Sequence, residues 1–194
     1  MALQIAAPRP GQHLLVHAGA GGVGSTLIQL GKKHSVKLIA TVGSDDKVRF
    51  AEQLGANLVL DYNAVEFGKE VLEYTSGGGV DAIFDGVGAA VVHGDLECLA
   101  DEGMLLYYGS ASGHPQFPGG QVLTRGLRIQ GFVIFSLLQR PALWKAGVDA
   151  VLGAISDGSL RFDPEVLPMA SAPKAHSLLE SRSQTGKIVL DTRG

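Results

Sequence analysis

Residues 13–24, His-Leu-Leu-Val-His-Ala-Gly-Ala-Gly-Gly-Val-Gly, carry an apolar strand straight into a glycine-punctuated turn, and residues 25–34 continue with helical spacing. Such a run can hold a diphosphate by backbone alone. Gly19 permits the tight turn, Gly21 lets the chain approach phosphate oxygens with no Cβ in the way, and Gly24 lets the following helix pack closely on the strand. Gly22 and Val23 fall at the helix start, where unpaired N–H groups and the positive dipole end face an anion. A P-loop would need Gly-x4-Gly-Lys-Ser/Thr. Gly19 to Thr26 fits that frame except that Ser25 follows Gly24 with no lysine between them, which disfavours nucleoside triphosphate chemistry. The plainer alternative is a strand-to-helix turn that uses glycine only for its backbone freedom.

The end of the second strand bears on which nucleotide is held. An NAD site wants a carboxylate there, about 20 residues beyond the glycines, to bond the ribose 2′-hydroxyl. This chain reads Thr41-Val42-Gly43-Ser44, with Lys47 one turn on. Gly43 leaves room, Ser44 offers a hydroxyl and Lys47 a cation, a set that favours a 2′-phosphate and hence NADP(H). Asp45 and Asp46 read as first-turn residues of the next helix, stabilised by its dipole. Lys47 could equally be a solvated surface charge. An S-adenosylmethionine methyltransferase shares the glycine turn; it too commonly wants an acid after strand two, and Asp61 could make an adenine contact there.

The elements that must position these residues alternate short β-branched runs with amphipathic stretches. Strands are expected near 13–18, 37–42, 58–61, 80–85, 103–108 and 127–133, and helices near 22–34, 45–54, 65–75 and 89–99. This is an α/β pattern, a doubly wound parallel six-stranded sheet in the order 3-2-1-4-5-6, the Rossmann arrangement. Gly55, Gly77 to Gly79 and Gly103 sit where left-handed helix caps want glycine. A long helix follows over 141–158, then a strand over 162–169, a helix over 173–183 and a strand over 187–191. This strand-helix-strand appendage has no obvious mate in the chain. The expected division is 1–158 for the dinucleotide domain and 159–194 for the C-terminal segment.

Composition narrows the function classes. A net charge of −3 gives no electrostatic case for nucleic acid or an anionic membrane, and no apolar run approaches a bilayer span. The first residues lack a signal-peptide core, which places the protein in the cytoplasm. Cys98 alone allows no internal disulfide or multi-cysteine zinc site, so no metal is expected, and its helical spacing with Val91, Val92 and Leu96 reads as a small buried hydrophobe. His17 reads as a hydrogen-bonded core histidine, and His114 is the one histidine placed to face a substrate. Gly109-Ser110-Ala111-Ser112-Gly113 is not a nucleophile elbow, since alanine holds the central position. No catalytic residue is identified.

Taken together, the 18–24 turn, Thr41 to Ser44 with Lys47, Leu54-Gly55-Ala56, Asp61-Tyr62, Phe84-Asp85-Gly86-Val87-Gly88, residues 108–113 and Leu179-Glu180-Ser181-Arg182 with Gly186-Lys187 resemble the medium-chain dehydrogenase/reductase superfamily. Within it the chain is most similar to the zinc-free, alcohol dehydrogenase-like NADPH:quinone oxidoreductases. The resemblance implies that Ser44, Lys47, Tyr62 and Arg182 gather around a 2′-phosphate. It implies that Gly86, Val87, Tyr108, Gly109 and Ser110 line the sheet edge where the cofactor crosses, and that Phe132, Val133 and Ile134 meet the nicotinamide amide. The implied activity is an oxidoreductase passing hydride from NADPH to a small quinone, enone or similar acceptor. Family members also carry an N-terminal barrel-like catalytic domain, which has no counterpart here. A catalytically silent dinucleotide-binding or assembly module is therefore an alternative, with the methyltransferase behind it. The sixth strand, Leu127 to Val133, should expose an unpaired edge, and both that edge and the resemblance suggest a homodimer through it.

Overall fold

The computed structural model describes residues 1–181 and 184–193, leaving out the side chain of Leu137. Six parallel strands form one sheet: β1 (His13–Val16), β2 (Lys37–Val42), β3 (Leu58–Asp61), β4 (Val80–Asp85), β5 (Leu99–Tyr107) and β6 (Arg128–Gly131), in the order β3-β2-β1-β4-β5-β6. The expected fold is thus present. Helices α2 (Gly22–Gly31), α3 (Asp45–Leu54), α4 (Phe67–Tyr74) and α5 (Val92–Cys98) make the crossovers that parallel pairing requires.

Alternate residues of the central strands feed two apolar layers. Leu14, Val16, Leu38, Ala40, Phe84 and Leu106 pack on one face, whereas Leu15, Ile39, Ile83 and Leu105 pack on the other. Burial on both faces is why these strands read as unbroken apolar runs.

Several boundaries differ from the sequence reading, each for a local reason. β1 stops at Val16 because Ala18 turns the chain with a left-handed φ of 52°. β5 begins at Leu99, and its register against β4 shifts between Val80 and Ala82. Gly103 therefore lies inside a strand and caps no helix; the left-handed residue is its neighbour Glu102, at φ 60°. Gly55, Gly77 and Gly79 do take left-handed φ values, while Gly78 does not. Three short helices were not expected: α1 (Ala2–Ala6), α6 (Gly119–Thr124) and α7 (Ile134–Leu137).

Beyond the sheet lie α8 (Pro141–Ser156), β7 (Glu165–Pro168), α9 (Ala172–Glu180) and β8 (Ile188–Asp191). The appendage does have a mate, namely itself. β7 and β8 pair in parallel as a separate two-stranded sheet, with α9 as the crossover. Among the described residues, no helix is long and apolar enough to cross a membrane.

Phe84 is fully buried at the centre of the first apolar layer. Phe84→Ala should cost about 3–5 kcal/mol, seen as a lower urea midpoint with an unchanged slope, and a midpoint shift worth less than about 1 kcal/mol would contradict its place there.

Candidate functional site

The C-terminal ends of β1, β2, β4 and β5 open onto a cavity of about 520 Å³. Its floor is the glycine turn. Gly19 N–H donates to the Thr41 carbonyl at 2.9 Å, tying the turn to β2, and Gly21 N–H closes back on Ala18 at 2.8 Å. Gly19 is glycine for closeness, not for φ, because a Cβ there would stand 2.8 Å from the Ala40 Cβ. Gly24 is under tighter constraint: a Cβ would lie 2.8 Å from both the Ala18 carbonyl carbon and the Gly19 Cα. With α2 pressed this near the turn, the N–H groups of Gly22, Val23 and Gly24 begin the helix without intrahelical acceptors. Gly21, Gly22, Val23 and Gly24 all line the cavity.

Lys47 and Tyr62 form the wall beyond β2. The Tyr62 ring lies directly over Gly43, where a Cβ would meet its Cζ at 2.8 Å. Asn63 holds that loop, its side-chain amide donating to the Gly43 carbonyl at 3.1 Å while its backbone N–H donates to Asp61. Ser44 is the residue before α3, extended and outside the cavity lining. Arg182 lies outside the described residues.

Gly86, Val87 and Tyr108 line the far side. Asp85 shapes that corner by accepting N–H bonds from Val87 at 2.6 Å and Gly88 at 2.9 Å. Gly109 sits against Gly86, where a Cβ would reach the Gly86 carbonyl oxygen at 2.7 Å, so it brings two turns together without lining the cavity. Ser110 also lies outside the lining. Ala111 and Ser112 take that place, with Ser112 Oγ donating to Val87 and accepting from Ala90 N–H. Phe132 packs on Tyr108 at 5.9 Å between ring centres, and Val133 and Ile134 are exposed beyond β6. Burial and the Asp85 charge push the Tyr108 phenol well above the usual tyrosine range.

A polar network, of which only the histidine was legible in the sequence, runs from the cavity wall into the core: His17 and Thr41 line the cavity and Asp95 lies behind them. His17, fully buried, meets Thr41 Oγ1 through Nδ1 at 2.7 Å and Asp95 Oδ1 through Nε2 at 2.6 Å, with Phe67 edge-on at 5.1 Å. It is a hydrogen-bonded core histidine, as expected. Burial pulls the His17 pKa down, but the charge and hydrogen bond of Asp95, with Asp85 beyond, outweigh it and leave the value raised. Burial pushes the Asp95 carboxyl up against the opposing pull of His17. Asp95 itself carried no sequence signal, because a carboxylate on a helix is ordinarily a surface group. His114 stands outside, exposed and bonded to Tyr107 Oη at 3.0 Å. Burial also raises the Cys98 thiol far above its ordinary range, leaving it inert.

Residues 22–154 match the family model described as zinc-binding dehydrogenase. The chain belongs to the medium-chain dehydrogenase/reductase superfamily. It is 34% identical over 185 residues to a quinone oxidoreductase of Pseudomonas aeruginosa, covering 94% of this chain and 57% of that protein. A 2-haloacrylate reductase of Burkholderia is 31% identical over 192 residues, covering 94% and 56%. The crystal structure of the Escherichia coli quinone oxidoreductase complexed with NADPH superposes with a TM-score of 0.88 at 28% identity, covering 97% of this chain and 61% of that one. The chain thus spans little more than half the length of these three relatives. Although the family description mentions zinc, the described residues contain no group of three histidine, cysteine or carboxylate side chains able to hold a metal.

The buried pair has a pH signature. Both His17 and Asp95 keep a proton to higher pH when folded than when unfolded, so their contribution is full at low pH and is lost as pH rises through the raised values, beginning at 3.8 for Asp95 and 6.5 for His17. As pH rises above 6.5, the wild type should lose denaturant stability relative to a His17→Gln/Asp95→Asn double variant. Parallel pH profiles for the two proteins would contradict this.

Proposed function

We infer that this chain holds NADP(H) across the C-terminal edge of its sheet and serves a reductase that passes hydride to a quinone, enone or similarly electron-poor acceptor. One observation carries the reading. The cavity joins a glycine turn, with unpaired helix N–H groups, to the end of β2, which carries no carboxylate at its tip and is flanked by Lys47 of α3 and Tyr62 just after β3. The free amides of α2 suit the diphosphate, and the cation and phenol suit a 2′-phosphate. The NADPH in the E. coli relative's crystal structure and the reductase names of the two relatives support the same reading.

When bound, the cofactor would supply the hydride. The protein's part is to fix the dinucleotide: α2 holds its centre, Lys47 and Tyr62 its adenosine end, and the Gly86–Val87 corner with Tyr108 shapes the passage toward the sixth strand. The division into a dinucleotide domain over 1–158 and a C-terminal segment over 159–194 belongs to this reading, as does a cytoplasmic location.

Assembly follows from β6. It ends the sheet with Arg128, Gln130 and Gly131 exposed, and the apolar Val133, Ile134 and Phe135 are exposed just beyond it. Pairing this edge with a second copy would continue the sheet and cover that patch. Sedimentation at micromolar concentration should give a dimer mass; a monomer would refute the pairing.

Cofactor choice is tested through Lys47. Lys47→Ala should weaken NADPH binding about tenfold or more and NADH binding by much less, since an ionic hydrogen bond is worth about 1.5–3 kcal/mol. A wild-type preference for NADH, or equal losses for both cofactors, would overturn the 2′-phosphate reading.

A further inference from the structure

His17 lines the cavity just before the glycine turn, yet is itself fully buried. Two carboxylates lie behind it. Asp95 of α5 meets its Nε2 at 2.6 Å, and Asp85, at the end of β4, is near enough for its charge to act on the same ring. Both carboxylates are fully buried. One oxygen of each, Asp85 Oδ2 and Asp95 Oδ2, is shielded from solvent without a hydrogen-bond donor. Among the described residues, His17 is the one basic side chain in an ion pair with either of them.

The other groups packed on this cluster bring no positive charge. Thr41 of β2 meets His17 Nδ1 at 2.7 Å, and the Phe67 ring of α4 stands edge-on at 5.1 Å. Tyr108, after β5, feels the Asp85 charge, and its phenol is pushed well above the usual range, as is the thiol of Cys98, whose Sγ reaches the Asp95 carbonyl. Outward along α5, Glu97 is exposed, and Arg125 is committed to the Leu96 and Leu99 carbonyls and to Asp101. Lys47 and Tyr62 belong to the cavity wall beyond β2. One proton therefore decides the charge behind this part of the wall. With the His17 ring protonated, an ion pair offsets one carboxylate; with it neutral, the two carboxylates stand uncompensated. Buried charges act on one another with little screening. The free amides of α2 border the same cavity, so an anion held there favours the charged ring, and the charged ring favours the anion.

We propose that dinucleotide binding at the glycine turn is proton-linked: the His17–Asp95 pair takes up a proton from solvent as the diphosphate enters, and so sets cofactor affinity according to pH. This rests on the NADP(H) reading above. His17 is here a positioning residue, joined to β2 and α5 by its two hydrogen bonds. Binding is tightest where the ring is already charged and weakens as pH climbs from 6.5 through the raised His17 value.

The test is calorimetric titration of the whole chain with NADPH at a series of pH values above 6.5, in buffers of differing ionisation enthalpy, which reads affinity and proton count together. Wild-type affinity should fall about three- to tenfold as the pair loses its proton, with uptake approaching about one proton per NADPH within the transition. NADH carries the diphosphate but no 2′-phosphate, so it should follow the same trend, whereas the 2′-phosphate's own titration touches NADPH alone. In the His17→Gln/Asp95→Asn double variant the fall should vanish for NADH, and any proton uptake with NADPH should be the ligand's own. Asp95→Asn alone should leave the buried ring neutral, giving weaker affinity that is flat above pH 6.5. NADPH binding with no change of affinity or proton count in the wild type would overturn the inference. So would the same dependence in the double variant, or a dependence shown by NADPH and not by NADH. In each of these cases binding is still seen, and the cofactor reading stands. A wild type that binds neither cofactor at any pH sinks that reading and this inference with it.

Discussion

Everything at this site depends on how closely α2 can approach the turn that precedes it. At Gly24 the helix backbone comes so near Ala18 and Gly19 that no side chain fits between them. That contact fixes the helix axis against β1 and β2, and so decides where the first N–H groups point. Any larger residue would lift the helix away and spoil an anion site made entirely of main chain. Gly19 makes the matching contact on the other flank, against Ala40 of β2. The site thus begins as a packing constraint, and its electrostatics follow from it.

Beside this main-chain floor His17 and Thr41 reach the cavity wall, backed by the buried Asp95. His17, Thr41 and Asp95 link β1, β2 and α5 through two short hydrogen bonds, and Asp85 holds the next turn through two more. The ends of β1 and β2 are thereby tied to each other and to α5 by side chains as well as by the sheet. One oxygen each of Asp85 and Asp95 is left buried without a partner. Two carboxylates in a low-dielectric layer are tolerable because His17 lies between helix and strand to share the charge. The arrangement trades stability for fixed geometry at the rim, a trade expected beneath a binding site rather than in an ordinary core.

The fold was legible because strands buried on both faces leave near-continuous apolar runs, as in Lys37 to Val42, and because such short runs alternate with longer amphipathic stretches. The glycine turn was legible as a site, but its internal logic was not. Sequence spacing suggested Gly19 for the turn's strained conformation, whereas Ala18 adopts the left-handed angle and Gly19 answers to Ala40 across the sheet. Glu102 and Gly103 repeat the lesson, with the non-glycine again taking the positive φ. Likewise Ser110 and Ser112 are indistinguishable in a stretch of small residues. Only the turn's hydrogen bonds to Gly86 and Val87 decide that the second serine faces inward. Tertiary contact settles such cases, and no local pattern encodes it. The short helices at Ala2–Ala6, Gly119–Thr124 and Ile134–Leu137 were missed for a related reason, since a single turn carries too few residues to show a period.

The C-terminal pairing of β7 with β8 is the least local feature of the chain and the one that gives the glycine turn its surroundings. Taken alone, the two short strands would be a marginal ribbon. They persist because Leu160 and Leu167 are buried, Gln29 pairs with Arg161, and Gly186 and Lys187 bond to Ala20 and Gly22. Four hydrogen bonds thus tie α2 and its turn to the chain's end, so the geometry of the turn depends on a segment that no local pattern connects to it.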